Sequence, residues 1–172
     1  MPGPPSPSNA LAVGLLLIPL ALTTACAVPG PRVAVVSVGD GDTIRVREGE
    51  DLVTVRLACI DAPETAQRPY GQQSRRELQQ LLPARSTVRL AEKTTDRYGR
   101  LVAEVFSDRN INLAMVEDGQ AFAYRKYLQE CDANRYLDAE SRASRRRTGV
   151  WQVEGGITRP WDFRRQRRSR KR

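Results

Sequence analysis

Histidine is absent from all 172 residues. Without an imidazole there is no Ser-His-Asp triad, no Cys-His pair and no HExxH zinc site. Nuclease and deaminase chemistries that use imidazole as base or ligand fall with them. The three cysteines never form a CxxC, so the spacing of a structural zinc site is missing. No glycine-rich phosphate loop of the P-loop or dinucleotide type occurs. Chemistry is left to carboxylates, Arg, Lys and Tyr. Hard oxygen donors of this kind suit calcium or magnesium rather than zinc or copper.

Long apolar runs are missing too. Residues 10–22, "ALAVGLLLIPLAL", are broken by Pro19 and too short to span a bilayer comfortably, but have the length of a signal-peptide core. Ala25-Cys26-Ala27 fits the small-x-small cleavage pattern. The same stretch resembles a lipobox with Cys26 as the lipidated residue, although Leu22 sits one position too far away and no Lys or Arg follows Met1. Both readings imply export, as a secreted, periplasmic or membrane-anchored form, and residues 1–27 are expected to be a signal peptide.

The carboxyl end lacks acid. "FRRQRRSRKR" (163–172) holds seven of the 28 basic residues, without which 21 basic face 20 acidic; the net +8 is concentrated there. A run of this kind is expected to be disordered and open to polyanions, either nucleic acid or an anionic membrane surface. One domain with a real core is expected over 28–162, with no internal repeat or Pro/Ser-rich linker.

Within it, "VAVVSV" (33–38) and "TIRVR" (43–47) alternate β-branched residues around a turn, a hairpin pattern. "DLVTVRLACI" (51–60) is expected as a third strand, with Val53, Val55, Leu57 and Cys59 on its apolar side. Residues 70–83 read as a helix closed by Pro83, 86–92 and 100–107 as two strands, and 110–119 as a helix capped by Asn110 and ended by Gly119. A last helix starts near Asp132 and runs to Gly149. Five strands with helices interleaved close most naturally into a small barrel, which removes exposed edges. The expected class is α+β: a five-stranded β-barrel of the OB type with three helices packed on it.

Acidic residues cluster in two turns, "GDGDT" (39–43) and "IDAPET" (60–65). Asp and Gly are what hairpin turns are made of, so each turn alone says little. Asp42 precedes the second strand, and Asp61 and Glu64 follow the third. A flat meander is expected to separate them, whereas a strongly coiled barrel brings them together. Arg56, mid-strand among apolar neighbours, is either solvated or half of an internal charge system. Arg100 ends "TDRYGR". A metal held by carboxylates, a Glu that takes a proton and two guanidinium forks are the parts phosphodiester hydrolysis needs.

"GDGDT", "RLACIDAPET" and "TDRYGR", in this order and spacing, closely resemble the staphylococcal (micrococcal) nuclease family over residues 33–151. The resemblance implies an OB-type barrel with three helices and calcium-dependent hydrolysis of DNA and RNA to 3′-phosphate ends. It implies Asp42 and Asp61 as calcium carboxylates, the Ala62 carbonyl as a further ligand, and Asp40 acting through water. Glu64 would be the general base, Arg56 and Arg100 would hold the phosphate, and Tyr98 and Tyr124 would lie beside the nucleotide. A second tyrosine of that loop is replaced by Lys126, with Tyr127 adjacent. Residues from Gly155 onward have no counterpart in the family's type member.

The leading expectation is therefore an exported, monomeric, calcium-dependent nuclease with little sequence preference. The rival is a non-catalytic nucleic-acid-binding barrel, against which stands the presence of all five side chains: Asp42, Arg56, Asp61, Glu64 and Arg100. A third reading, a lipoprotein binding an anionic surface polymer, rests on the lipobox and tail alone. Since either processing route takes Cys26 out of play, Cys59 and Cys131 form an even pair in an oxidising compartment, and a disulfide between them is expected; a free buried Cys59 thiol is the alternative.

Overall fold

The computed structural model describes residues 1, 3 and 30–170. The apolar segment 10–22 and Cys26 lie outside the described residues.

Five strands close a barrel in the order β1-β2-β3-β6-β5. They are β1 (Arg32–Val38), β2 (Thr43–Glu48), β3 (Asp51–Leu57), β5 (Thr87–Thr95) and β6 (Leu101–Phe106). β3 and β6 pair in parallel, and the other neighbours are antiparallel. Two-residue alternation supplies the interior: Ile44 and Val46 of β2, Val55 and Leu57 of β3, Val88 and Leu90 of β5, and Ala103 and Val105 of β6 are all buried. In β1 the inward period runs Val33, Val35, Val38, because a register shift between Val35 and Ser37 inserts one residue. Each fully buried aliphatic side chain contributes about 1.5–3 kcal/mol, and the closed sheet leaves no edge to template aggregation.

Four α-helices accompany the barrel: α1 (Tyr70–Leu81), α2 (Ile111–Glu117), α3 (Ala133–Arg146) and α4 (Pro160–Ser169). Asn110 caps α2 by accepting from the Leu113 N–H at 3.0 Å, and Asp132 caps α3 through Arg135 N–H. A short second sheet pairs β4 (Ile60–Asp61) with β7 (Phe122–Ala123).

Three expectations change. The third strand does not run through 60: it stops at Leu57, and Cys59 takes a left-handed φ of 63°. The break frees backbone groups, and Asn112 of α2 satisfies them. Its amide donates to the carbonyls of Ala58 (3.0 Å) and Ala103 (3.1 Å), while its oxygen accepts from Val105 N–H (2.9 Å). Ile60, beyond the break, is buried along with Cys59.

The second change is the basic run. A domain boundary at 162/163 falls inside α4, so this stretch is helical rather than disordered. Pro160 presets the first turn, and Asp162 pairs with Arg165. A small second core of Phe122, Ala143, Val150 and Trp151, flanked by Tyr70, Ile157 and Trp161, docks the segment. The Arg159 guanidinium lies 4.3 Å from the Phe122 ring centre and 4.7 Å from that of Trp151. With α4 present, the described residues carry four α-helices where three were expected.

The third concerns the turns. Thr43 pairs with Arg56, so antiparallel pairing itself sets the start of β2 against the end of β3. Asp42 and Asp61 share one end of the barrel without any extra coiling.

Candidate active site

At that end an open cleft of about 1190 Å³ is bounded by the two acidic turns, the 94–100 turn, the Tyr124 segment and α4. The Asp42 carbonyl accepts from Leu57 N–H at 2.8 Å, and the Asp42 Oδ2 accepts from Ala62 N–H at 2.8 Å. These two bonds clamp the first acidic turn onto the second. Asp40 faces the same turn, its Oδ1 accepting from Asp42 N–H at 3.1 Å. Gly41 is required by closeness: a Cβ there would lie 2.0 Å from Ser74 Oγ and 2.7 Å from Ala62 Cβ.

Arg56 proves to be half of an internal charge system. Its Nη2 lies 3.0 Å from Asp42 Oδ2 and 2.8 Å from Asp61 Oδ1, and the guanidinium also donates to the carbonyls of Leu57 and Ile60. Asp61 is completely buried, and its strand is fixed by β7. Glu140 of α3 in turn holds β7, accepting from Ala123 N–H at 3.0 Å and pairing with Arg125. Burial pushes the Asp42 carboxyl up to about 8; nearby Asp40 and Asp61 add to this, while Arg56 and the Ala62 N–H oppose it. The Arg56 guanidinium that pairs with Asp42 is shared with Asp61.

Glu64 is half-buried at the cleft wall. Gln67 shapes its loop, accepting from Glu64 N–H at 3.0 Å and donating to Thr158 O at 2.7 Å. Arg100 stands across the cleft, held by Asp96 through Nε–Oδ2 and Nη2–Oδ2 contacts of 2.8 and 2.7 Å. Burial raises the Asp96 carboxyl, but bonds from Arg100 and Tyr98 N–H outweigh it and leave it below the usual carboxylate range.

The two tyrosines differ. Tyr98 is 69% exposed at the lip, with the Arg97 and Arg100 guanidiniums near its ring. Tyr124 is stacked on Trp161 of α4, ring centres 5.1 Å apart at 8°, so one face is already covered. Cys59 and Cys131 are joined by a disulfide that links the β3–β4 corner to the segment after Tyr124. It closes 72 residues of sequence, a constraint worth about 2–4 kcal/mol.

One contact was not expected. Arg164 of α4 reaches into the cleft, with Nη2–Asp61 Oδ2 at 2.7 Å, Nη1–Asp61 Oδ1 at 3.2 Å and Nη1–Glu64 Oε1 at 2.6 Å. Among the described residues, no group of three or more His, Cys, Asp or Glu side chains is gathered tightly enough to hold a metal ion by itself.

Residues 54–153 match the family model described as staphylococcal nuclease homologue, covering the second acidic turn, Arg56 and Arg100. The chain belongs to the staphylococcal nuclease family. It is 40% identical over 144 residues to micrococcal nuclease of Shigella flexneri, which covers 78% of this chain and 80% of the relative. It is 39% identical over 158 residues to an uncharacterized endonuclease of Haemophilus influenzae, covering 91% and 85%. Protein ParB of Escherichia coli is 37% identical over 150 residues, covering 81% and 82%. Family membership places the chain among the nucleases, which are hydrolases.

Four residues of this staphylococcal nuclease homologue's site architecture escape a reading by motif: Asn112, Gln67, Glu140 and Arg164. The first three are buried polar residues in otherwise helical or loop sequence, and only burial gives them away. Arg164 is one arginine among many in a basic run, and nothing in its neighbours' composition singles it out.

Proposed function

We propose that this chain is an exported, calcium-dependent nuclease that cleaves DNA and RNA with little sequence preference and leaves 3′-phosphate ends. The observation that carries the reading is the junction of the two acidic turns: Asp42 and Asp61 meet across one guanidinium, beside Glu64 and opposite Arg100.

The donor chemistry fits calcium. Asp42 and Asp61 offer carboxylates, with the Ala62 carbonyl and Asp40 close by, and none offers nitrogen or sulfur. When bound, calcium would neutralise a phosphate oxygen and acidify water.

Glu64 accepts the proton of the attacking water. Oxygen bonds to phosphorus, the P–O5′ bond breaks, and the 5′-oxygen takes a proton from solvent, leaving a 3′-phosphate. Arg100, fixed by Asp96 at the lip, presents its remaining N–H groups to the phosphate; Arg56 couples the metal carboxylates to the same position. Tyr98 offers an exposed ring beside the strand, whereas Tyr124 has one face covered by Trp161 and the Tyr127 ring edge-on to it. Export is supported by the 10–22 run and by a disulfide, which persists in oxidising compartments. Cys26 is either removed with the signal or lipidated.

Hydrolysis of single-stranded DNA in calcium, and in excess chelator, tests the reading. Activity should disappear with chelator, and products should carry 3′-phosphate. Undiminished cleavage in chelator, or 5′-phosphate ends, would contradict it.

A further inference from the structure

Both oxygens of Asp61 face guanidiniums. Oδ1 has Arg56 at 2.8 Å and Arg164 at 3.2 Å, and Oδ2 has Arg164 at 2.7 Å. These contacts take three of the carboxylate's roughly four lone-pair sites, so a cation that takes Asp61 as ligand competes with both guanidiniums for its charge. The two arginines are not equally placed to yield. Arg56 belongs to a barrel strand, is 13% exposed, and is tied to two backbone carbonyls as well as to Asp42. Arg164 lies on the last helix, is 35% exposed, and has only Asp61 and Glu64 as hydrogen-bond partners of its guanidinium among the described residues. Its helix has further anchors besides that contact: Trp161 stacks on Tyr124 and meets Phe122 edge-on at 6.2 Å.

We propose that Arg164 is a positioning residue of the active site: the resident counter-ion of Asp61 and Glu64, which competes with the divalent cation for Asp61 and swings away when the cation binds, releasing Glu64. The inference rests on the calcium reading above. In the cation-free protein the guanidinium neutralises two carboxylates that would otherwise repel each other and the buried Asp42. Its fork on Asp61 is the bidentate geometry that gives such pairs their strength. Once displaced, the side chain has Arg167 and Arg168 beside it on the cleft wall and is free to face phosphate. Cation affinity is thus set by the chain's own arginine as well as by its ligands. The contact also keeps Glu64 occupied until the cation is present.

Isothermal titration of calcium into metal-free protein tests this without reading activity. Wild type, Arg164→Ala, Arg164→Gln and Arg165→Ala are compared. Arg165 is an exposed arginine paired with Asp162, and it controls for loss of one positive charge on the same helix. Removing the competitor should tighten calcium binding by about tenfold in both Arg164 variants, the scale of one charge-assisted contact. Arg165→Ala should change it by less than about twofold. Arg164→Gln keeps a helix-compatible polar side chain, so affinity is readable even if the alanine variant is loosened. Calcium binding that is unchanged or weaker in the Arg164 variants would overturn the counter-ion while leaving the calcium site standing. No binding by any of the four proteins would overturn both.

Discussion

At the scale of single residues, the site is held by polar atoms that have no place on the surface. Asn112 is the clearest case. It is fully buried and uses three hydrogen bonds to close the gap left where β3 gives way to the corner before Asp61. Replacing it by Ala strands the Ala58 carbonyl and the Val105 N–H away from water, while the Ala103 carbonyl keeps the Ala58 N–H at 2.8 Å; each such orphan costs roughly 1–3 kcal/mol. We expect Asn112→Ala to lower unfolding free energy by about 3 kcal/mol or more in urea melts. A loss under about 1 kcal/mol would mean that water or a shifted backbone replaces these bonds. Gly41 makes a similar point by absence of atoms, since any side chain there would collide with Ser74 and Ala62. The "GDGD" turn is read correctly as acidic, but its middle glycine is needed for packing against α1 rather than for turn geometry.

At the scale of elements, α4 shows how a sequence pattern misleads. Arginine density alone argues for a solvated, disordered run, because like charges repel. The counter-charges that order it lie about a hundred residues away, in Asp61 and Glu64, together with the aromatic cluster of Phe122, Trp151 and Tyr124. No local window contains both halves. Helices and strands that carry their own signals fare better: α2 begins at its Asn110 cap and stops before Gly119, and β2 alternates as its residues demand. The pairing of Thr43 with Arg56 was also available in the strand order, and it is enough to bring Asp42 to Arg56. The short β4–β7 ladder was not, because two-residue strands have no period to detect. For substrate, α4 supplies Arg167 and Arg168 to the cleft wall. In chelator, fluorescence anisotropy of single-stranded DNA should show a shallower salt dependence for the Arg167→Ala/Arg168→Ala double variant. The log–log slope should fall in magnitude by about one, as expected when one or two phosphates lose a cation. An unchanged slope would remove this face of α4 from the binding path.

At the scale of the whole molecule, the proposed site occupies one end of a closed barrel. The barrel fixes Asp42 and Arg56, the β4–β7 ladder fixes Asp61, the α1 loop carries Glu64, and the disulfide ties that corner to the segment bearing Tyr124. The order of the three motifs along the chain made the family legible, and with it a candidate role for each carboxylate of the cleft. How those carboxylates are neutralised was not legible, because it depends on a helix that packs back from the far end of the sequence. The central claim is that these groups form a hydrolytic site with Glu64 as its base. Turnover of a short single-stranded DNA in saturating calcium, compared between wild type and Glu64→Gln, tests it most directly. The account predicts a fall of about two orders of magnitude or more, the usual size for loss of a general base, with substrate affinity retained. Turnover within a few-fold of wild type would contradict it.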